Sequence, residues 1–218
     1  MVPFAEVNGV QLYYEEHGSG FPLVLSHGGY SDISAWEESI PFFSQRYRVV
    51  VYDRRNCGQS GKAPDTDTPD IWVDDLYQLL RHLDIQRGYI GGSSFGALVT
   101  LEFTLAYPEM VEAALLISGT TAGYPPNERY SVTFPSRQGQ VGHLSLPVLI
   151  VNGADDASPS FAPGTAQKTA QDLPNSELAI LYGVGHAVSR DAGATFRSLT
   201  MGFLAKQDAK RGVLQAAS

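Results

Sequence analysis

A chain of 218 residues with 43% apolar and 17% charged side chains has enough apolar material for one large folded domain, which excludes an intrinsically disordered segment. Asp and Glu number 23 against 15 Lys and Arg, and a net charge of −8 repels phosphate; Arg54-Arg55 is the only adjacent basic pair ahead of Lys210-Arg211, so a nucleic-acid partner is not expected. A single cysteine, Cys57, excludes an internal disulfide framework and a cysteine-rich metal site. Val2–Val7 and Val10–Glu15 read as strands joined at Asn8-Gly9, a dipeptide that accepts the positive φ values of a type I′ turn, so the chain is expected to open on a β-hairpin. Past Gly18-Ser19-Gly20, Pro22–Ser26 is a short apolar run of the buried-strand kind. Helical patterns then cover Ile33–Gln45, Pro69–Leu83, Gly96–Ala106, Ala166–Leu173 and Asp191–Leu204. They alternate with strand patterns at Tyr47–Tyr52, Gly88–Gly91, Val111–Ile117, Pro147–Val151 and Leu178–Tyr182. Alternation with short connections predicts βαβ units, and runs such as VVVY, ALLI and VLIV, without polar alternation, suit a parallel sheet buried on both faces.

One stretch interrupts the alternation. Residues 118–146 are rich in Gly, Pro and Ser and carry no helical period, yet core strands resume after them, so they read as an insertion within one domain. Residues 207–218 are expected to form a frayed tail. The N-terminus lacks a charged region followed by an apolar run, and no stretch of about 18 apolar residues occurs; a soluble, cytoplasmic protein without a membrane partner is the expectation.

The chemistry concentrates at strand ends. Gly92-Ser93-Ser94-Phe95-Gly96 fits G-x-S-x-G, flanked by a strand pattern before and a helical pattern after, the setting in which a sharp turn exposes a nucleophilic serine, here Ser94. A serine hydroxyl needs a base, and the base needs an orienting acid. His186 lies in a glycine-flanked loop just past a strand pattern, and Asp155 and Asp156 follow the buried run PVLIV, so either carboxylate can serve. His27-Gly28-Gly29 ends the first core strand. Its glycines can turn backbone N–H groups toward a developing oxyanion, with Gly29 and Phe95 as the candidate donors and His27 as a prop for the loop. Asp53 reads as a brace for the loop that carries Arg54 and Arg55, and Cys57 as a packed thiol. No His, Asp and Glu spacing forms a ligand set, so neither a metal nor a cofactor is expected.

In order and spacing, LVLSHGG (23–29), YDRRNCGQS (52–60), GGSSFG (91–96), YPEMV (107–111), PVLIVNGADD (147–156) and YGVGHA (182–187) resemble the α/β-hydrolase superfamily from about Val10 to Leu204. The resemblance implies a single α/β domain over residues 1–218: an eight-stranded, mostly parallel sheet flanked by helices, with residues 118–146 as a reduced cap. It selects Asp156 over Asp155 as the acid, giving a Ser94–His186–Asp156 triad. Asn56 stands where relatives usually have Gly, a position a left-handed Asn can fill. Tyr30, Trp36, Tyr124 and Phe134 are the candidate substrate contacts, Trp36 doubling as a helix anchor beneath the His27 loop. The implied activity is cleavage of a small carboxylic ester or lactone through an acyl-enzyme, without cofactor. Carbon–carbon bond hydrolysis and proline-releasing aminopeptidase activity use the same triad, and a ligand sensor on a hydrolase scaffold is the non-enzyme alternative. A cap this short predicts an open site that prefers short acyl groups. The alternative is an aromatic cover made by Tyr124, Tyr130 and Phe134, or a wall supplied by a second copy in a homodimer.

Overall fold

The computed structural model describes residues 3–29, 31–63, 67–124, 132–161 and 164–216. Eight strands form one sheet: β1 (Phe4–Val7), β2 (Val10–His17), β3 (Phe21–Ser26), β4 (Tyr47–Tyr52), β5 (Gly88–Ser93), β6 (Val111–Ile117), β7 (Val148–Gly153) and β8 (Ser176–Leu181). Their spatial order is β1-β2-β4-β3-β5-β6-β7-β8. The β1–β2 and β2–β4 pairs are antiparallel, and every later pair is parallel. Asn8 at φ 44° and Gly9 at φ 76° make the opening hairpin turn, both residues in the positive-φ region that the dipeptide tolerates.

Each parallel strand sends alternate side chains to two separate cores. Val24, Val50, Ile90, Ala114, Leu116 and Ile150 face α2 (Pro69–His82), α3 (Phe95–Ala106) and α4 (Thr165–Asp172). Leu25, Val49, Val51, Leu115, Ile117 and Val151 face α1 (Ile40–Phe43), α5 (Val188–Asp191) and α6 (Gly193–Ala216). Helix α2 has Pro69 in its first turn, where a missing N–H costs nothing, and buries Trp72, Val73, Leu76, Leu79 and Leu80 at helical spacing. Helix α3 is buried nearly all round because the sheet covers one side and α2 another. Its two buried threonines stay satisfied, Thr100 donating to the Gly96 carbonyl and Thr104 to that of Thr100.

Three expectations need correction. The helix expected over Ile33–Gln45 is instead a 3₁₀ turn at Ile33–Trp36 followed by the one-turn α1. Pro41 lacks the N–H a continuous helix would use there, so the chain restarts after Ser39 with Pro41 in the new first turn. The C-terminal segment is not frayed from residue 207: α6 runs to Ala216. Asp208 holds it down, accepting hydrogen bonds from Tyr47 (2.9 Å) and Tyr89 (2.7 Å) and pairing with Arg46 and Arg211. Trp36, a candidate substrate contact, is fully buried against Phe196 of α6, on the sheet face away from α3. It is an anchor only.

Burial by itself would raise the Asp208 carboxyl, but donors from Tyr89, Tyr47 and Arg211, with the Arg46 charge, hold it below the usual carboxylate range. A lowered folded pKa contributes stability that is present above the unfolded value and is lost as pH falls through the folded one. Asp208→Asn should therefore lower unfolding free energy by about 2 kcal/mol at pH 7 in urea denaturation. The gap between variant and wild type should close as the pH is taken down through the acid range.

Candidate active site

The elbow at Ser94 is built by what is missing around it. A Cβ at Gly92 would fall on the Gly96 carbonyl group, and one at Gly96 on the Ser26 carbonyl oxygen of β3. Only with both positions bare can β5 turn directly into α3 beside β3. Ser94 sits at φ 55°, ψ −116°, a conformation that non-glycine residues rarely adopt, and its N–H is tied to the Ile117 carbonyl at 2.8 Å. The geometry lifts its side chain out of the sheet plane at the carboxyl end of the central strand. Ser93, still in β5, pairs in register with Ile117.

Two strands away, Asp156 and His186 meet. Asp156 is buried, and its Oδ2 lies 2.5 Å from His186 Nδ1, while its Oδ1 accepts the Ser158 N–H at 2.9 Å. Burial pushes this carboxyl up, but the His186 and Ser158 hydrogen bonds outweigh it and leave it below its ordinary value. Asp155 is exposed, and its N–H donates to the Val184 carbonyl. Of the two carboxylates left open by the strand-end pattern, the structure brings Asp156 to the histidine. Gly153 is needed nearby because a Cβ there would strike the Val184 and Gly185 carbonyls of the histidine loop. The His186 ring is about one-third exposed and packs at a tilt of 40° against Phe161, with centroids 4.9 Å apart. Among the described residues, no hydrogen bond joins Ser94 Oγ to His186 Nε2, and neither atom has a hydrogen-bond partner.

The loop after β3 is held by His27. Its Nε2 lies 3.0 Å from the Arg54 backbone N–H and can only accept there, so Nδ1 carries the proton and donates to the Gly28 carbonyl at 2.9 Å. Burial, and then the Arg54 charge, lower the His27 pKa to about 3, which leaves this neutral tautomer unchanged near neutrality. All peptides described are trans. Fixing the Gly28 carbonyl therefore aims the Gly29 N–H the opposite way. Gly29 itself sits at φ 35°, and its carbonyl accepts from the Arg54 guanidinium, which stacks 4.4 Å from the Trp72 ring. A Cβ at Gly28 would sit tightly against the Ser93 carbonyl oxygen at 3.1 Å and the Ser94 Cβ at 3.2 Å. Phe95 is the first residue of α3, where a helix supplies no intrahelical acceptor for its N–H groups.

Tyr124 and Phe134 form a two-residue antiparallel bridge, N–H to carbonyl in both directions at 2.9 and 2.8 Å. Their rings pack on Phe95 at 4.7 and 5.6 Å, and Phe134 also meets Trp72 at 5.8 Å. Both rings are thus turned inward onto Phe95, the first residue of α3. Tyr30 and Tyr130 lie outside the described residues. The sequence reading missed Phe161, Ser118 and Trp72. Phe161 is the one large apolar residue in a Pro- and Ser-rich turn five positions past Asp156, a signal that was there to be found. Among the described residues no cluster of His, Cys, Asp or Glu is arranged to hold a metal, and no helix is long and apolar enough to cross a membrane.

Residues 22–139 match the family defined by the alpha/beta hydrolase fold. Among curated proteins, the chain is 28% identical over 118 residues to a putative carbamate hydrolase, RutD, of Azorhizobium caulinodans, a match covering 54% of this chain and 44% of that protein. It is 31% identical over 127 residues to the strigolactone esterase RMS3 of Pisum sativum, covering 56% and 46%. The chain thus matches less than half the length of these relatives. Among solved structures, the enol-lactonase from Burkholderia xenovorans LB400 superimposes with a TM-score of 0.85 at 18% identity, covering 93% of this chain and 100% of that one. A meta-cleavage product hydrolase from Pseudomonas fluorescens IP01 gives 0.84 at 18% identity, covering 93% and 97%.

The two aspartates make the site's geometry testable. Asp156→Asn should lower turnover by about 10⁴-fold, because an amide offers His186 Nδ1 the wrong hydrogen-bonding partner, whereas Asp155→Asn should stay within about twofold of wild type. Steady-state hydrolysis of an activated ester by both variants checks this, and equal losses would contradict the assignment.

Proposed function

The chain belongs to the α/β-hydrolase family, and from that premise we propose that it is a serine hydrolase cleaving small carboxylic esters or lactones. The observation that carries the reading is the Asp156–His186 pair at 2.5 Å, presented at the same sheet edge as a serine held at φ 55°. In this mechanism Ser94 Oγ attacks the carbonyl carbon while its proton passes to His186 Nε2. Asp156 keeps the proton of Nδ1 facing it and stabilises the imidazolium as it forms. The Gly29 and Phe95 N–H groups receive the oxyanion. Collapse of the tetrahedral intermediate expels the alkoxide, which takes the proton from His186, and leaves an ester on Ser94. Water, deprotonated by the same imidazole, then releases the acid. The alternative uses of the triad, on carbon–carbon bonds or on N-terminal prolyl peptides, would differ in what lies beyond Ser94.

The aromatic wall bears on that question. A wall gains about 0.8 kcal/mol per methylene only where it has surface left to cover. Tyr124 and Phe134 are 9% and 4% exposed, their faces already used by Phe95 and Trp72, so they fill space rather than line it. Ser94 and His186 remain half-buried. The reading is therefore a shallow, open site for short acyl groups of roughly two to four carbons, on the same per-methylene argument.

Two measurements test it. A fluorophosphonate probe should leave its adduct on Ser94, found by mass spectrometry; an adduct on Ser93, or none, would sink the proposal. Across p-nitrophenyl esters, kcat/KM should peak at acetyl to butanoyl and fall toward octanoyl. Phe134→Ala, which opens the wall, should shift the optimum to longer chains while costing about 3 kcal/mol of stability. A steep rise from acetyl to octanoyl in wild type would overturn the short-acyl reading.

A further inference from the structure

Between the strand that carries Ser94 and the loop that carries His186 stands Ser118, the residue that follows β6. It is fully buried and sits at φ 47°, so two neighbouring strands each end in a serine in the left-handed region. The strand ends are hooked in series. The Ser94 N–H binds the Ile117 carbonyl at 2.8 Å, the Ser118 N–H binds the Val151 carbonyl at 2.8 Å, and the Ala154 N–H binds the Leu181 carbonyl at 2.9 Å. The Ser118 hydroxyl departs from this pattern. It passes over the end of β7 and donates to the backbone carbonyl of His186 at 2.7 Å.

The histidine loop has few other attachments. From Tyr182 to Ala187 it is exposed or half-exposed, Tyr182 at 87%, until Val188 is buried at the start of α5. Within it the Val184 carbonyl is held by the Asp155 N–H at 3.0 Å, and the His186 imidazole is held by Asp156 and Phe161. Among the described residues, the hydrogen bond to the His186 main chain, from which the ring projects, comes from Ser118. A left-handed backbone favours Gly or Asn. The residue present supplies neither the freedom of Gly nor the tolerance of Asn, but it does supply a hydroxyl, and that hydroxyl reaches His186.

We propose that Ser118 is a positioning residue for His186: its hydroxyl holds the main chain of the base so that the imidazole stays between Asp156 and Ser94. This rests on the serine-hydrolase reading above. Ser118 does not touch substrate, so its loss should lower kcat and leave KM nearly unchanged. A displacement of the base by about 1 Å can cost roughly 10²-fold in rate.

Two substitutions separate positioning from structural support. Ser118→Ala removes the hydroxyl and keeps the strained backbone; Ser118→Gly removes the hydroxyl and relieves it. The alanine variant should therefore melt lower than the glycine variant, while both lose about 10²-fold in kcat and in the rate of fluorophosphonate labelling at Ser94. Activity would then follow the hydroxyl and melting would follow the backbone. If the glycine variant keeps wild-type kcat, or if activity ranks with melting temperature, Ser118 is structural and the proposal fails. A readout independent of turnover is the downfield proton NMR signal of His186 Nδ1–H facing Asp156. It should broaden or vanish in Ser118→Gly, and an unchanged signal would overturn the proposal. Should wild type resist labelling at Ser94, the hydrolase reading fails by itself, and the NMR comparison still decides whether Ser118 positions the histidine.

Discussion

Everything at the site depends on how closely two pieces of backbone approach one another where β5 turns into α3. The first turn of α3 lies against the last residue of β3, with no side chain of Gly92 or Gly96 between them. That contact goes with the positive φ of Ser94 and brings the loop after β3 close to the Ser94 Cβ, leaving little room for a side chain at Gly28. A serine placed this way owes its position to main-chain geometry and not to a rotamer, so the strain is held by the whole parallel sheet.

Buried polar groups then stiffen the loops around it. Arg55 and Asp75 form an ion pair with both side chains buried, 2.6 Å apart, and Asn8 of the opening hairpin adds a third contact to the same carboxylate. Asp53 takes the N–H groups of Ile33 and Gln59, tying together the segments after β3 and β4; burial raises its carboxyl against those hydrogen bonds. Asn56 accepts φ 66° where its loop closes onto Gly61, and Cys57 lies buried beside it with its thiol pushed up by desolvation. Pairing of this kind is what allows charge to be buried at modest net cost. The Arg54 N–H carried by this loop fixes the His27 tautomer, and His27 in turn fixes the Gly28–Gly29 peptide plane.

The described residues between β6 and β7 are held by a different route. With no helix among them, they are pinned by Asp172 of α4, which accepts from the Thr121 hydroxyl at 2.5 Å and the Gly139 N–H at 3.2 Å, and by Arg137, whose guanidinium forks onto Glu102 of α3. Side chains of the helices beneath thus hold this segment down. The aromatic bridge of Tyr124 and Phe134 is drawn down onto Phe95, the residue next to Ser94.

Local sequence determined the elements whose cause is local. The Asn8-Gly9 turn, the buried runs of β4, β6 and β7, the α2 face and the glycine pair around Ser94 all follow from φ preferences, side-chain volume and periodicity within a few residues. The family resemblance added the choice of Asp156 over its neighbour, a register that spacing alone left open. What only the tertiary structure decided are the contacts between residues far apart in the chain. Trp36 looked available to a substrate until α6 covered it; the residues after 207 looked frayed until Tyr47 and Tyr89 met Asp208. Ser118 carried no signal at all, because its partner is a backbone carbonyl, and a carbonyl is the same at every position in a sequence.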